Sequence, residues 1–248
     1  MIRAIIFSII VKSFLFCQVN IEALRAEDNI SGIQNHLELD FSFISGNSDV
    51  LAFDGTYRFN YLAKSGLYGF LIARANHSYE EDDSGDISVF SNKAFGHLRI
   101  AKPLFPQTYF EGFTQKEFNQ FIDLENRELV GMGFRFNPLN QLYLGTGFMS
   151  EMEQYKEPSN VQEFMKSTSY INYSFSFLEF LEIQNIIYYQ FKFEAPKDYR
   201  LLWDGKLKFS GIKNVSFHIN CHYRYDISAI NPEGSNYFEV SNGLGFQF

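Results

Sequence analysis

The segment Tyr237-Phe238-Glu239-Val240-Ser241-Asn242-Gly243-Leu244-Gly245-Phe246-Gln247-Phe248 decides the fold. Successive side chains of a strand point to opposite faces, so Phe238, Val240, Leu244, Phe246 and Phe248 share one face and Glu239, Ser241 and Gln247 the other. A strand so divided, twelve residues long, is expected between lipid on one side and a polar interior on the other.

The aromatic at the end of that strand resembles the C-terminal signal by which the assembly machinery of bacterial outer membranes recognises barrel proteins. The opposite end agrees. Met1-Ile2-Arg3 leads into the apolar run Ala4 to Val11 and, after Lys12, Ser13 to Cys17, the pattern of a secretory signal peptide. The run is shorter than the roughly 20 apolar residues of a membrane helix. Ala23 and Ala26 both suit the cleavage site; with Ala26, residues 1–26 are the signal, 27–35 a short periplasmic segment and 36–248 the barrel. Cys17 does not suit a lipoprotein signal, because bulky Phe16 precedes it.

Removing residues 1–26 takes away Arg3, Lys12, Arg25 and Glu22, so the 21 basic and 29 acidic residues fall to 18 and 28, a net charge of −10. An acidic chain argues against nucleic acid as a partner, since phosphate binding needs a basic surface. Cys221 is then the sole cysteine, which rules out an internal disulfide and leaves a small apolar side chain. Mean hydropathy is −0.18 although 18% of residues are aromatic, with 29 Phe and 15 Tyr. A barrel produces that combination because only every second residue meets lipid.

Period-two alternation divides the chain into about twelve strands, with ten as the alternative count. Leu37, Leu39, Phe41 and Phe43 oppose Glu38, Asp40 and Ser42. Leu51, Phe53, Tyr57, Phe59 and Tyr61 oppose Asp54, Thr56, Arg58 and Asn60 across the turn Ser45 to Asp49, which makes a hairpin. The same pattern places Arg74, Lys93, Arg99, Arg127, Arg135, Glu182, Lys192 and Arg224 inward on later strands. The strand from Thr108 to Phe118 rests on spacing alone. Glu151 to Gln162 reads as the longest polar loop, with Glu80 to Asp86 a second. Loops after odd strands are longer than turns after even ones, as in outer-membrane barrels with surface loops and periplasmic turns. Rings at Phe59, Tyr61, Phe136, Phe175, Phe177, Phe209, Phe246 and Phe248 collect near the periplasmic end, where a membrane interface is expected.

Ser45-Gly46-Asn47-Ser48 in the first hairpin, Arg127 followed by Gly131-Met132-Gly133-Phe134-Arg135, and Tyr143-Leu144-Gly145-Thr146-Gly147 occur in an order and spacing that resembles the YdiY-like family of salt-induced outer membrane proteins, a domain of unknown function. The resemblance covers residues 36–248. It implies an antiparallel transmembrane β-barrel in the bacterial outer membrane and very little about activity.

Function on this reading lies in the lumen, whose lining is Asp54, Arg58, Arg74, Lys93, Arg99, Arg127, Arg135, Glu182, Lys192, Arg224 and Glu239, joined by Glu38, Asp40 and Asp204. Mixed charges either pair and plug a narrow barrel or line a small polar channel. A small-solute pore or an envelope structural role follows, with a surface-binding barrel as the alternative. A lipid-modifying enzyme is disfavoured: His77 lies near the rim with Ser88 and Asn92 on the next strand, and no His and Ser sit two apart on the outward face. No cofactor is implied. His218 and His222 lie about 13 Å apart along one strand, too far for one ion to join unaided, and Asp82, Asp83 and Asp86 read as a solvated loop. The expected partners are outer-membrane lipids and, in transit, periplasmic chaperones and the barrel assembly machinery; the oligomeric state is left open.

Overall fold

Alternation of apolar and polar side chains persists through strand after strand because the chain closes on itself with one face of each strand outside and the other packed within. The computed structural model describes residues 32–44, 49–81, 87–156, 160–178, 180–212, 214–227 and 235–247. The expected signal peptide, residues 45–48 of the turn expected from Ser45 to Asp49, residues 82–86 of the loop expected from Glu80 to Asp86 and Phe248 lie outside the described residues; Asp49, Glu80 and Glu81 are strand.

Twelve strands follow in chain order: β1 (Gly32–Ile44), β2 (Asp49–Leu62), β3 (Tyr68–Glu81), β4 (Ile87–Phe105), β5 (Thr108–Asn119), β6 (Leu124–Leu139), β7 (Leu142–Tyr155), β8 (Asn160–Leu178), β9 (Leu181–Lys192), β10 (Tyr199–Ile212), β11 (Val215–Asp226) and β12 (Asn236–Gln247). A single 3-10 turn, Gln120–Ile122, lies between β5 and β6. Each strand pairs antiparallel with the next, and β12 returns to β1 to close the barrel. Closure removes the exposed edge that hydrocarbon cannot satisfy. The count is therefore twelve and not ten.

The closing seam is the shortest pairing. Among the described residues β1 and β12 match over five positions, His36 with Gln247 through Asp40 with Gly243. By contrast β1 and β2 match over thirteen, from Gly32 with Leu62 to Ile44 with Val50.

Short connections gather at one end of the barrel. Gln107, Gln141 and Asn214 take positive φ of 62°, 67° and 64° there, and the register shifts beside each of them, between Pro103 and Phe105, Phe136 and Leu139, and Phe209 and Ile212. A left-handed residue next to a bulge is how a tight hairpin matches strand twist.

Outward residues form an apolar belt. Leu71, Leu98, Ile100, Val130, Met132, Phe148, Ile171, Ile187, Phe238, Val240 and Leu244 are all exposed, and Trp203 stacks flat on Phe238 with ring centroids 6.5 Å apart. Inward residues are mostly buried, and many are charged.

Two boundaries differ from the sequence reading. The first strand starts at Gly32, inside the segment expected to precede the barrel. Outward Asn35 masks the alternation there; it accepts a 2.7 Å hydrogen bond from the Tyr57 hydroxyl. The supposed loop from Glu151 to Gln162 is mainly strand, since β7 runs to Tyr155 and β8 begins at Asn160. Its polarity is that of a lumen wall, with Glu151 and Glu153 buried.

Candidate functional site

The lumen holds most of the chemistry, and glycines set its shape. Gly131, Gly133, Gly145 and Gly147 sit on the inward faces of β6 and β7, with Gly133 opposite Gly147. An added Cβ at Gly131 would overlap the Phe113 ring, and one at Gly145 the Tyr170 ring. The bare wall therefore lets two rings lie over it. A small cavity opens beside them, bounded by Gly133, Gly147, Tyr188, Thr168, Gln190 and Leu202.

Beside that cavity Glu111 on β5 gathers three partners. Arg99 Nη1 donates to it at 3.0 Å, Arg135 Nε lies 3.3 Å away and the Tyr170 hydroxyl donates at 3.3 Å. Arg135 is sandwiched between Tyr109 and Tyr143, its guanidinium 4.5 and 4.7 Å from their ring centroids. A guanidinium suits this place because its faces stack on rings while its edge bonds a carboxylate.

Toward the loop end lies a second layer. Glu151 Oε1 receives Arg127 at 3.1 Å, Lys166 at 2.8 Å and Arg200 at 3.4 Å. Arg127 also meets Glu117 at 3.2 Å and Glu153 at 3.5 Å. Arg200 continues to Glu153 at 3.4 Å and Asp226 at 2.5 Å, and Arg224 donates to Asp226 at 2.8 Å. Four cations thus face four carboxylates, an even balance that keeps buried charge tolerable. Glu151 is 0%, Asp226 1% and Arg127 2% exposed, so these charges are almost wholly covered by neighbouring side chains.

The connections cross the lumen as well as follow its wall. Arg200 belongs to β10 and Glu151 to β7, three strands apart. Tyr170 on β8 reaches Glu111 on β5, and Lys206 on β10 reaches both Glu38 oxygens on β1 at 2.8 Å, each again three strands away. Such chords narrow the interior.

On the opposite wall Arg74 Nε donates to both Asp54 oxygens at 2.8 and 2.9 Å. His218 Nε2 lies 2.9 Å from Asp40 Oδ1 and 3.0 Å from Glu38 Oε1, and His222 pairs with Asp204. Lys93 is buried and Arg58 half-buried on the same inner surface. Glu182 lies 3.8 Å from Lys208. Lys192 meets Asp198 at 3.5 Å, with its ammonium 4.0 Å from the Phe164 ring centroid. Glu239 pairs through its backbone position with His222; its side chain lies outside the described residues. Phe238, Val240 and Leu244 face outward, and Phe246 is half-buried.

Sequence reasoning did not single out Glu111, Glu117 or Glu153. The first two lie on β5, where inward Phe113 and outward Lys116 blur the alternation; the third lay in the supposed loop. A repeat of acids at every second position, Glu151 and Glu153 after Gly145 and Gly147, was the available signal.

Near His77 the ring packs edge-on against Tyr79, with centroids 4.6 Å apart. Its cross-strand neighbours are Phe53 and Asn92, while Ser88 pairs with Glu80.

Solved structures of similar shape are outer-membrane barrels. The translocator domain of autotransporter NalP from Neisseria meningitidis aligns with a TM-score of 0.51 and 10% identity, over 89% of this chain and 90% of that one. The NanC porin aligns with a TM-score of 0.51 and 10% identity, over 87% and 98%. Likeness at that identity concerns the fold, which is therefore that of an outer-membrane barrel. No curated protein matches the sequence significantly. A family model described as protein of unknown function, DUF481, matches residues 37–248, and the chain belongs to that family.

Proposed function

We propose that this protein is a structural barrel of the bacterial outer membrane whose lumen is held shut by its own ion pairs, and that it is not an open diffusion pore. The observation that carries the reading is Arg200 of β10 reaching Glu151 of β7 across the interior, with Glu151 wholly buried. In an open channel of porin type the lining charges are wetted. Here Arg127, Lys166, Arg200 and Asp226 are all buried around that contact.

The outward apolar belt supports lipid as the surrounding partner. On this reading the short-turn end faces the periplasm, the longer loops face outward, and the assembly machinery and periplasmic chaperones handle the chain in transit. The placement of His77 beside Phe53 and Asn92, away from Ser88, supports a role without catalysis.

Liposome swelling tests the proposal. Vesicles carrying the refolded barrel should swell in a monosaccharide no faster than empty ones, whereas Arg200→Ala should speed swelling. Rapid swelling with the unaltered protein would contradict the closed lumen.

A further inference from the structure

His97 faces the lumen from β4, and His36, His218 and His222 face it from β1 and β11, the strands that flank closing strand β12. Glu38 and Asp40 share the inner face of β1. The His218, Glu38 and Asp40 side chains each place one ligand-type atom within 4.8 Å of the other two, and all three are buried.

Glycine makes the meeting possible. Gly243 of β12 stands between Asp40 on one side and His218 on the other. An added Cβ there would overlap the Asp40 carboxylate, and one at Gly245 would press on Ser216 and the His36 ring. The closing strand is thus hollowed where the ligand-type groups converge.

We propose that Glu38, Asp40 and His218 bind a single divalent transition-metal ion, with Zn²⁺ the best chemical match. One imidazole nitrogen with two carboxylate oxygens is a set that such ions accept, leaving a fourth position for water; calcium prefers oxygen alone. Ligand atoms about 2.0–2.2 Å from a tetrahedral ion stand about 3.3–3.6 Å apart. The observed 2.9 and 3.0 Å contacts of His218 therefore need only a small opening.

Lys206 does not block the site. It lies 2.8 Å from both Glu38 oxygens and keeps one of them while the other turns to the ion. His36, with Nε2 3.3 Å from Glu38 Oε2, helps Lys206 hold that oxygen and leaves Oε1, which faces His218, for the ion. Glu38 and Asp40 bring two carboxylates to the site, the charge that a dication matches. The ion would tie β1 to β11 over β12, where the wall closes through five pairs.

The test uses the barrel refolded in detergent and stripped with a chelator. Zn²⁺ should bind one to one by titration calorimetry, and Co²⁺ should give the strong visible absorption of a four-coordinate site. Asp40→Asn, which keeps the shape, and His218→Ala should each weaken Zn²⁺ binding by at least about tenfold, and His222→Ala should leave it unchanged. Heat-dependent gel mobility reports whether each variant is folded. Should both variants fail to fold, the Co²⁺ spectrum of the unaltered barrel decides alone. No Zn²⁺ binding, a weak six-coordinate Co²⁺ spectrum, or equal binding in folded Asp40→Asn and His218→Ala would overturn the assignment.

Discussion

Asp40 and His218 touch at 2.9 Å although strand β12 lies between the strands that carry them. The contact passes over Gly243, the Cα partner of both residues. A seam of five pairs is thereby reinforced by a side-chain bridge on its inner surface. Gly243→Ala should push on Asp40 and cost about 1–3 kcal/mol, the usual range for overpacking. Gly112→Ala, where an added Cβ meets nothing within 4 Å, should be neutral. The temperature at which the folded band disappears from an unboiled gel measures both.

Tyr170 depends on Gly145 in the same way. Gly145→Val places atoms where the Tyr170 ring lies and should drive its hydroxyl away from Glu111. A loss of about 1–3 kcal/mol is expected. Urea titration of the barrel folded into vesicles should register it, and Tyr170→Phe, which keeps the ring and removes a hydrogen bond to a carboxylate, should cost about 1.5–3 kcal/mol.

Glu151 answers three cations through one oxygen. Glu151→Ala strands Arg127, Lys166 and Arg200 with fewer partners, and breaking a buried pair from one side costs about 3–5 kcal/mol. Exposed Lys116 pairs with Glu128 at 2.6 Å on the outer surface, and Lys116→Ala should cost under about 1 kcal/mol. Thermal unfolding in one detergent compares the two.

Val130 sits near the middle of β6, exposed on the outer belt. If that belt meets hydrocarbon, Val130→Arg should cost about 2–4 kcal/mol, against about 0–1 kcal/mol for Leu139→Arg at the strand end. Equal costs in vesicle folding titrations would argue against a bilayer around this surface.

Much of the fold was legible because an apolar outer face and a largely polar inner one enforce period two along β1 to β4 and β6 to β12. The apolar part of the interior was not legible. Tyr68, Phe70, Ile72, Ile186 and Leu202 point inward and are buried, filling space that the sequence reading assigned to charges. Polar residues at the end of β7 imitated a loop for the converse reason, since lumen and solvent call for the same side chains. Individual lumen charges could be placed inward from parity alone. Their partners could not, because Glu38 and Lys206 lie 168 positions apart and meet only once the register of twelve strands is known.

Single-channel recording in planar bilayers tests the closed lumen most directly. The unaltered barrel should give a flat trace at moderate voltage after verified insertion, and Arg200→Ala, which removes the chord between β10 and β7, should give discrete steps. Porin-like steps from the unaltered barrel would contradict the account.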